Sequence, residues 1–263
     1  MTTTAELDPA RAAGTHPSAI ASARGLTKVY GTGEAQVHAL RGIDVDLARG
    51  ELTAIMGPSG SGKSTLMHCL AGLDRPTSGT ATVDGLEVSS MSERRLTKLR
   101  RTRVGFIFQA FNLVPTLTAA ENIALPLDIA RRPVDRALFE EVVEAVGLTD
   151  RLSHKPAELS GGQQQRVACA RALVARPSVI FADEPTGNLD SHASGEVLGF
   201  LRRSVDTLGQ SVVMVTHDPR AASFAHRVLF LADGELVAEL TSPTQSSVLD
   251  ALAHLDGFAA KEK

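Results

Sequence analysis

Cysteine and tryptophan are scarce: the 263 residues include two cysteines and no tryptophan. Neither Cys69 nor Cys169 has a nearby Cys or His at metal-ligand spacing, which argues against both a disulfide scaffold and a zinc site. The simplest interpretation of each is a small core residue on a helix, in a protein of a reducing compartment such as the cytosol.

Long apolar runs are also missing. No stretch approaches the roughly 18–20 consecutive apolar residues that cross a bilayer. Residues 1–22 are rich in Thr, Ala, Ser and Pro, without the basic start and apolar segment of a secretory signal. We interpret them as a flexible leader and expect any membrane role to depend on a partner.

Basic charge is not in excess: 27 Lys and Arg residues stand against 30 Asp and Glu residues, a net charge of −3. This balance lacks the electrostatic footprint of a nucleic-acid-binding protein, so no nucleic-acid partner is expected. Residues 94–103 form one local basic run. Leu96 and Leu99 give that run an inward stripe, which favours a solvated helix face over a contact with lipid headgroups or nucleic acid.

Predicted strands alternate with predicted helices along most of the chain, which indicates an α/β fold with a parallel, helix-covered sheet. An antiparallel β portion is predicted near the start, where the hairpin signal Asp84-Gly85 joins two short strands. Asp233-Gly234 is a second hairpin signal.

Changes in this pattern divide the chain. Residues 92–175 are mostly helical in pattern, apart from the apolar stretch 104–108, and are interpreted as a helical lobe inserted into the sheet domain. The whole domain is assigned to residues 23–240. Residues 241–263 are then a polar linker and a short amphipathic tail, which we expect to be a loosely packed surface helix.

A glycine-rich segment carries the first chemical signal. Residues 57–64 match the phosphate-binding pattern G-x-x-x-x-G-K-S/T between a predicted strand and a predicted helix. Its backbone amides and the following helix dipole favour phosphate. Lys63 is expected on the β- and γ-phosphates, Ser64 on Mg²⁺, and Thr65 on a further phosphate oxygen. The predicted phosphate-binding residues are Gly57, Pro58, Ser59, Gly60, Ser61, Gly62, Lys63, Ser64 and Thr65. Kinases and GTPases share this motif.

Two carboxylates end a buried strand farther along the chain. The apolar run 179–182 leads into Asp183 and Glu184, and the carboxyl edge of a parallel sheet is where α/β proteins hold ligands. Asp183 is expected to hold Mg²⁺ through its water shell, and Glu184 to polarise the attacking water.

Between these motifs stands Leu159-Ser-Gly-Gly-Gln163, followed by Gln164-Gln165-Arg166. This segment resembles the signature sequence of ATP-binding cassette (ABC) proteins. The resemblance implies a P-loop ABC ATPase fold, with a RecA-like parallel sheet core, an antiparallel β subdomain and an inserted helical subdomain. A second anion-binding nest is predicted at the start of a helix, formed by Ser160, Gly161, Gly162 and Gln163.

Other positions of the family are filled in order. Gln109 resembles the Q-loop glutamine, which senses Mg²⁺ and water and takes part in catalysis. Asp190 resembles the D-loop aspartate, and His217 the catalytic switch histidine. Tyr30 is the single tyrosine and falls where the family stacks an aromatic ring on adenine. The resemblance extends over residues 26–240.

The family also implies a homodimer. In ABC proteins the signature of one cassette closes on ATP held by the other, so one copy of each half-site per chain predicts two ATP molecules, with Mg²⁺, at a head-to-tail interface. Burial between subunits would exclude stray water.

A narrower resemblance is to the MacB, LolD and FtsE group of bacterial ATPases. The stretches that carry it are residues 37–43, 108–115, 117–123 and 185–191. It implies an ATP-hydrolysing subunit on the inner face of the plasma membrane that energises a separate permease with few spans, in export or extraction. The alternative is an FtsE-like actuator that regulates an envelope enzyme or signal.

The permease is expected to insert a short helix beside Gln109. Phe111, Leu113 and Leu117 are the candidate contacts; the alternative is that they pack the helical lobe itself. A cassette ATPase of translation or DNA repair is disfavoured, since neither a second cassette nor a long coiled-coil or zinc insertion is present. A small-molecule kinase is disfavoured by residues 159–163. The transported substrate is not encoded in this chain, because specificity would reside in the permease.

Overall fold

A computed structural model describes residues 19–259 of the chain. The strands are β1 (Ala19–Tyr30), β2 (Val37–Ala48), β3 (Leu52–Met56), β4 (Ser78–Val83), β5 (Leu86–Glu87), β6 (Val104–Phe108), β7 (Val179–Asp183), β8 (Val212–Val215), β9 (Arg227–Ala232) and β10 (Glu235–Thr241). The helices are α1 (Lys63–Leu70), α2 (Glu93–Arg103), α3 (Ala119–Ala130), α4 (Arg136–Ala145), α5 (Gly161–Val174), α6 (Ser191–Leu208), α7 (Pro219–Ala222) and α8 (Gln245–Ala259).

Two sheets form the framework. A four-stranded antiparallel sheet has the order β2-β1-β4-β5. A six-stranded sheet has the order β10-β9-β3-β8-β7-β6, in which every pair from β9 to β6 is parallel and β10 lies antiparallel to β9. The predicted α/β class, with a parallel core sheet and an antiparallel portion, is confirmed.

Both predicted hairpins form. Asp84 and Gly85 join β4 to β5 with φ of 48° and 73°, and Asp233 and Gly234 join β9 to β10 with φ of 47° and 83°. Two successive residues in the left-handed region are typical of the tight turn whose twist matches antiparallel strands. The Asp-Gly signal was therefore sufficient to locate these turns.

The parallel sheet separates two hydrophobic cores, because alternate side chains of a strand point to opposite faces. Ala54 and Met56 of β3 join one core with α3 to α8, whereas Ile55 joins the other with α1, α2 and the antiparallel sheet. Both cysteines are free and buried, one in each core. Burial raises the pKa of each thiol to about 12, which fits the core role expected from the sequence.

The interpretation of residues 92–175 as one inserted helical lobe is wrong for its first part. Leu96 and Leu99 of α2 pack into the core beneath the antiparallel sheet, and β6 is the edge strand of the parallel sheet. The helical portion that packs as a separate layer begins at α3, which lies against α5. The sequence pattern predicted the helices correctly. It did not show that α2 and α3, which are consecutive helices, pack on opposite faces of the parallel sheet.

Residues at both edges of the described range pack against the domain, contrary to the expectation from the sequence. Strand β1 begins at Ala19 and buries Ile20 and Ala21, so residues 19–22 belong to the antiparallel sheet; the rest of the predicted leader lies outside the described residues. The expectation of a loosely packed tail is also wrong, since Val248 of α8 is fully buried in the helix-side core. Within residues 19–259, no helix is long and apolar enough to cross a bilayer.

Asp84 connects the two sheets. Its carboxylate accepts hydrogen bonds from Arg49 at the end of β2, from Arg103 at the end of α2, and from the Ser178 hydroxyl before β7 at 2.8 Å. The hydrogen bond from Arg49 is the main cause that lowers the pKa of Asp84 to about 2. The turn of the β4–β5 hairpin is thereby fastened to the parallel sheet.

We expect Asp84→Asn to lower the free energy of unfolding at pH 7 by about 1–2 kcal/mol, because Asn keeps the left-handed turn but loses the charge that binds both arginines. The unfolded carboxyl titrates near its ordinary value of about 3.9. The stabilisation is therefore complete above about pH 4 and disappears as pH falls towards 2, so urea unfolding should show the gap from wild type narrowing at acid pH.

Asp233→Asn is the matched control. Asp233 occupies the equivalent turn position with φ of 47°, and within the described part of the chain it makes no ion pair. We expect a change below about 0.5 kcal/mol. Equal losses for the two variants, or a gap for Asp84→Asn that does not depend on pH, would contradict the role assigned to Asp84.

Candidate functional site

The parallel register brings the predicted motifs to one edge of the sheet. Phe108 lies opposite Asp183, and Asp183 lies opposite Val215, which pairs in turn with Ile55 of β3. The residues that follow these strands therefore share the carboxyl edge, where α/β sheets bind ligands.

The glycine-rich loop between β3 and α1 fits tightly against neighbouring backbone. A Cβ atom on Gly57 would lie 1.9 Å from the carbonyl oxygen of Leu231, and one on Gly62 would lie 2.3 Å from that of Ala39. Their φ values of 153° and 102° also favour glycine. The amides of this loop can converge only because no side chain separates it from β9 and β2.

Lys63 is enclosed by this loop. Its ammonium donates hydrogen bonds to the carbonyl oxygens of Gly57 at 2.9 Å and Pro58 at 2.7 Å. Burial lowers the pKa of Lys63, while the negative charges of Glu184 and Asp183 act in the opposite direction. The loop thus holds a positive charge beside two carboxylates, as a site for a phosphate–metal complex requires.

Ser64 and Asp183 come together although 119 positions separate them in the sequence. The Ser64 hydroxyl donates a hydrogen bond of 3.1 Å to the Asp183 carboxylate, and His68 Nε2 lies 3.9 Å from the other carboxylate oxygen. Among residues 19–259, no group of three His, Cys, Asp or Glu side chains could hold a metal by itself. A hydroxyl and a carboxylate fit Mg²⁺, which prefers few protein oxygens and shares its remaining sites with phosphate and water.

Glu184 and His217 form a second pair. The His217 Nδ1 atom lies 2.8 Å from the Glu184 carboxylate. Glu184 adopts φ of 47°, and its amide donates to the carbonyl of Val215 at 3.0 Å. A left-handed non-glycine residue is strained and persists where surrounding contacts impose it, often at functional sites. Here the left-handed residue carries the carboxylate that pairs with the histidine after β8.

Gln109 follows β6 at the same edge but faces a different neighbour. Its side-chain amide lies 3.4 Å from Asn188 Oδ1, and Asn188 donates back to the Gln109 carbonyl at 2.9 Å. A Cβ on Gly187 would lie 2.7 Å from the same amide. Among the described contacts, none joins Gln109 to Ser64 or Asp183, so the structure does not bring together all three predicted metal-site residues.

The signature segment starts α5 as predicted. Ser160 is the N-cap: its hydroxyl accepts from the Gln163 amide at 3.3 Å, and the Gln163 side chain accepts from the Ser160 amide at 2.9 Å. This reciprocal cap orders the start of the helix. Beside it lies a surface cavity of about 360 Å³, whose lining includes Ser160, Gly161, Gly162, Leu189, Asp190 and Glu196. No lining residue comes from the phosphate loop.

Asp190 and Tyr30 occupy the margins of the site. The Asp190 carboxylate caps α6 by accepting from the amides of Ala193 and His192 at 2.8 and 2.9 Å. Tyr30 is 42% exposed, donates its hydroxyl to Asp74 at 2.6 Å, and has the Lys28 ammonium 4.7 Å from its ring centroid. The ring is therefore held in place with part of its surface open to solvent.

Sequence reasoning assigned no role to Gln165, although its signal was present. Gln165 lies on the buried stripe of α5 with Ala168, Cys169 and Ala172, and is itself fully buried. Its amide donates to the carbonyl of Pro185 at 2.6 Å. A glutamine within an apolar stripe indicates a buried polar contact, here one that joins the signature helix to the segment after Glu184.

A strand, a glycine-rich loop and a helix that hold a lysine beside a Ser–Asp pair define a P-loop nucleoside triphosphatase. The ABC transporter family profile matches residues 40–187. The chain belongs to the ABC transporter family and is one of its ATPases.

Similar proteins include an ATP-binding/permease protein and an ATP-binding protein. The macrolide export ATP-binding/permease protein MacB 1/2 of Paracoccus denitrificans (strain Pd 1222) is 50% identical over 218 residues, 82% of this chain and 32% of that protein. The lipoprotein-releasing system ATP-binding protein LolD of Bordetella pertussis (strain Tohama I) is 47% identical over 213 residues, 80% of this chain and 92% of that protein. This chain thus spans about a third of the MacB relative and nearly all of the LolD relative.

A solved structure shares the architecture. The dimeric ATP-binding cassette MJ0796, in a post-hydrolysis state bound to ADP and Pi, superposes with a TM-score of 0.77 at 40% sequence identity. The match covers 85% of this chain and 99% of that chain.

The close backbone contacts of the phosphate loop predict unequal effects at two of its glycines. Gly57→Ala should lower the free energy of unfolding by more than about 2 kcal/mol, because the new methyl group would overlap a carbonyl oxygen that cannot move freely. Gly60→Ala should cost only about 1 kcal/mol for its left-handed φ, since nothing lies within 4 Å of its Cβ position.

Urea unfolding of both variants checks this, together with titration by a fluorescent ATP analogue. We expect Gly57→Ala to lose nucleotide binding as well as stability. A Gly57→Ala protein as stable as Gly60→Ala would show that the loop is not confined by β9.

Proposed function

We propose that this chain hydrolyses ATP as one half of a symmetric dimer and energises a separate membrane permease, in export or extraction. The observation that carries the proposal is the convergence of Lys63, the Ser64–Asp183 pair and the Glu184–His217 pair at one sheet edge. Membership in the ABC transporter family and the similarity to MacB and LolD support it.

Each element has a distinct chemical task in this proposal. The amides of residues 57–65 and the Lys63 ammonium bind the triphosphate, and the Tyr30 ring stacks on adenine. Ser64 and Asp183 would hold Mg²⁺, which would neutralise charge on the phosphates. Glu184 orients the attacking water and accepts its proton. His217, hydrogen-bonded to Glu184, keeps that carboxylate in place.

Gln109 has a linking task. Its side chain lies beside Gly187 and Asn188. Movement of the loop after β6, which contains Gln109, would therefore be transmitted to the segment after Glu184. We propose that it enters the Mg²⁺ and water shell when the site closes on ATP.

The signature segment completes the site from a second copy. Its cavity opens beside Ser160 and Gly161 without contributions from the phosphate loop of the same chain. Ser160, Gly161, Gly162 and Gln163 would therefore meet the γ-phosphate held by the partner, with Asp190 at the seam. The dimeric state of MJ0796 supports this arrangement.

Glu184→Gln provides the test of both hydrolysis and dimerisation. The variant should bind ATP with unchanged affinity and hydrolyse it at least about 100-fold more slowly, because an amide cannot accept the proton. Trapped ATP should then hold two chains together, which sedimentation velocity can measure with and without ATP. Rapid hydrolysis by Glu184→Gln would contradict the proposal that Glu184 accepts the proton of the attacking water. An inactive variant that stays monomeric at high concentration with saturating ATP would contradict an autonomous dimer.

Permease docking is proposed at the loop after β6. The Phe111 ring lies near Gly161 of the signature segment, Leu113 packs partly against the helix-side core, and Leu117 is half-buried. These side chains are partly buried, so a docking helix would contact their exposed parts and the surrounding surface of the loop. The site would place the chain on the cytoplasmic side of the membrane.

Affinity purification of the tagged chain from detergent-solubilised membranes tests this proposal. We expect a permease with few spans and a large extracytoplasmic part to co-purify, and Phe111→Ala with Leu113→Ala to reduce its yield about ten-fold, in line with loss of a hot-spot contact. Leu249→Ala, a change at an exposed position on α8, is the control. An unchanged yield from the double variant would exclude this docking site, and a permease that controls an envelope hydrolase would favour the actuator role over transport.

A further inference from the structure

The loop after β6 contains a strained turn. Phe111 and Asn112 both adopt left-handed backbone angles, with φ of 56° and 51°. Asn enters this region more readily than most residues, but a bulky Phe does not. Two such residues in succession indicate that contacts from elsewhere in the fold impose the turn.

Arg171 of α5 supplies those contacts. Its guanidinium donates to the Asn112 carbonyl at 2.6 Å and to the Phe111 carbonyl at 2.8 Å. A planar fork with several donors can hold two successive carbonyls, whereas a single ammonium cannot match that geometry. One side chain of the signature helix thus bonds to both strained residues.

The cost of placing Arg171 here argues for a specific task. Burial lowers the pKa of Arg171, which reflects desolvation of its charge. Within residues 19–259 no carboxylate pairs with it, and its hydrogen bonds go to the two backbone carbonyls. A partly desolvated charge without a counter-ion is unfavourable, so packing alone would be better served by an apolar residue.

Two further observations link α5 to the segments around it. A Cβ atom added to Gly161 would lie 3.8 Å from the tip of the Phe111 ring, so the ring lies close to the start of α5. Gln165 of the same helix donates to the carbonyl of Pro185. The turn, the signature helix and the segment after Glu184 are therefore joined through α5.

We propose that Arg171 is a positioning residue, which locks the Phe111–Asn112 turn to the signature helix so that Gln109 and the signature segment move as one unit during ATP hydrolysis. Arg171 acts through the turn, because its hydrogen bonds go to the backbone carbonyls of Phe111 and Asn112. The inference rests on the proposed roles of Gln109 and the signature segment in hydrolysis.

The test uses Arg171→Met, which keeps the length of the side chain but removes its donors. We expect kcat for ATP hydrolysis to fall about ten-fold with KM changed less than about two-fold, because the phosphate loop is intact while catalytic groups are misplaced. Hydrogen–deuterium exchange of a peptide covering residues 109–117 should accelerate. Arg171→Lys keeps the charge and replaces Arg171→Met in the same measurements if that variant fails to fold. We expect it to lower kcat about three-fold.

Asn112 provides a rescue that a merely structural role for Arg171 would not show. The Asn112 side chain is exposed, so Asn112→Gly alone should stay within about two-fold of wild type, since Gly adopts the left-handed region without strain. Added to Arg171→Met or Arg171→Lys, Asn112→Gly should raise kcat by up to about three-fold and slow hydrogen–deuterium exchange of residues 109–117. Asn112→Ala in the same backgrounds should lower kcat further.

Three results would overturn the proposal: wild-type kcat in Arg171→Met, a loss expressed in KM instead of kcat, or a double variant with glycine at position 112 no better than its parent. Failure of the general function is distinguishable, because it would appear as normal hydrolysis by Glu184→Gln in an otherwise wild-type chain.

Discussion

The parallel pairing of β3, β8, β7 and β6 is the constraint on which the rest of the structure depends. Because these strands run in one direction and in register, the segments that follow them emerge at a single edge. One edge thereby receives a positive loop, two carboxylates, a glutamine and a histidine from distant parts of the chain. Sheet burial on both faces fixes that register, since a shift by one residue would exchange the two cores.

The two cores impose different demands on the segments around the site. The core under the antiparallel sheet holds α1, so the phosphate loop is pressed between β2 and β9 and admits only glycine at its closest contacts. The helix-side core holds α5, which carries the signature segment at its start. The phosphate loop and the signature segment are thus anchored in separate layers.

Two polar side chains of α5 bind the backbone of loops near the site. Arg171 donates to carbonyls of the loop that contains Gln109, and Gln165 donates to the carbonyl of Pro185, next to Glu184. Backbone carbonyls tolerate changes in neighbouring side chains, so such contacts hold loop geometry without fixing loop sequence. The strain at Glu184, Phe111 and Asn112 is concentrated where these contacts meet.

The sequence by itself determined the contiguous features: the phosphate loop, the signature cap, both Asp-Gly turns and the α/β class. Each depends on residues close together in the chain, whose backbone angles or hydrogen bonds are set locally. Only the tertiary structure decided which core receives α2, that Val248 anchors α8, that Gln109 faces Asn188, and that Arg171 holds a turn 60 residues away. The reason is physical: burial and long-range hydrogen bonds depend on which surfaces meet, and hydrophobic periodicity reports that a face is buried without reporting against what.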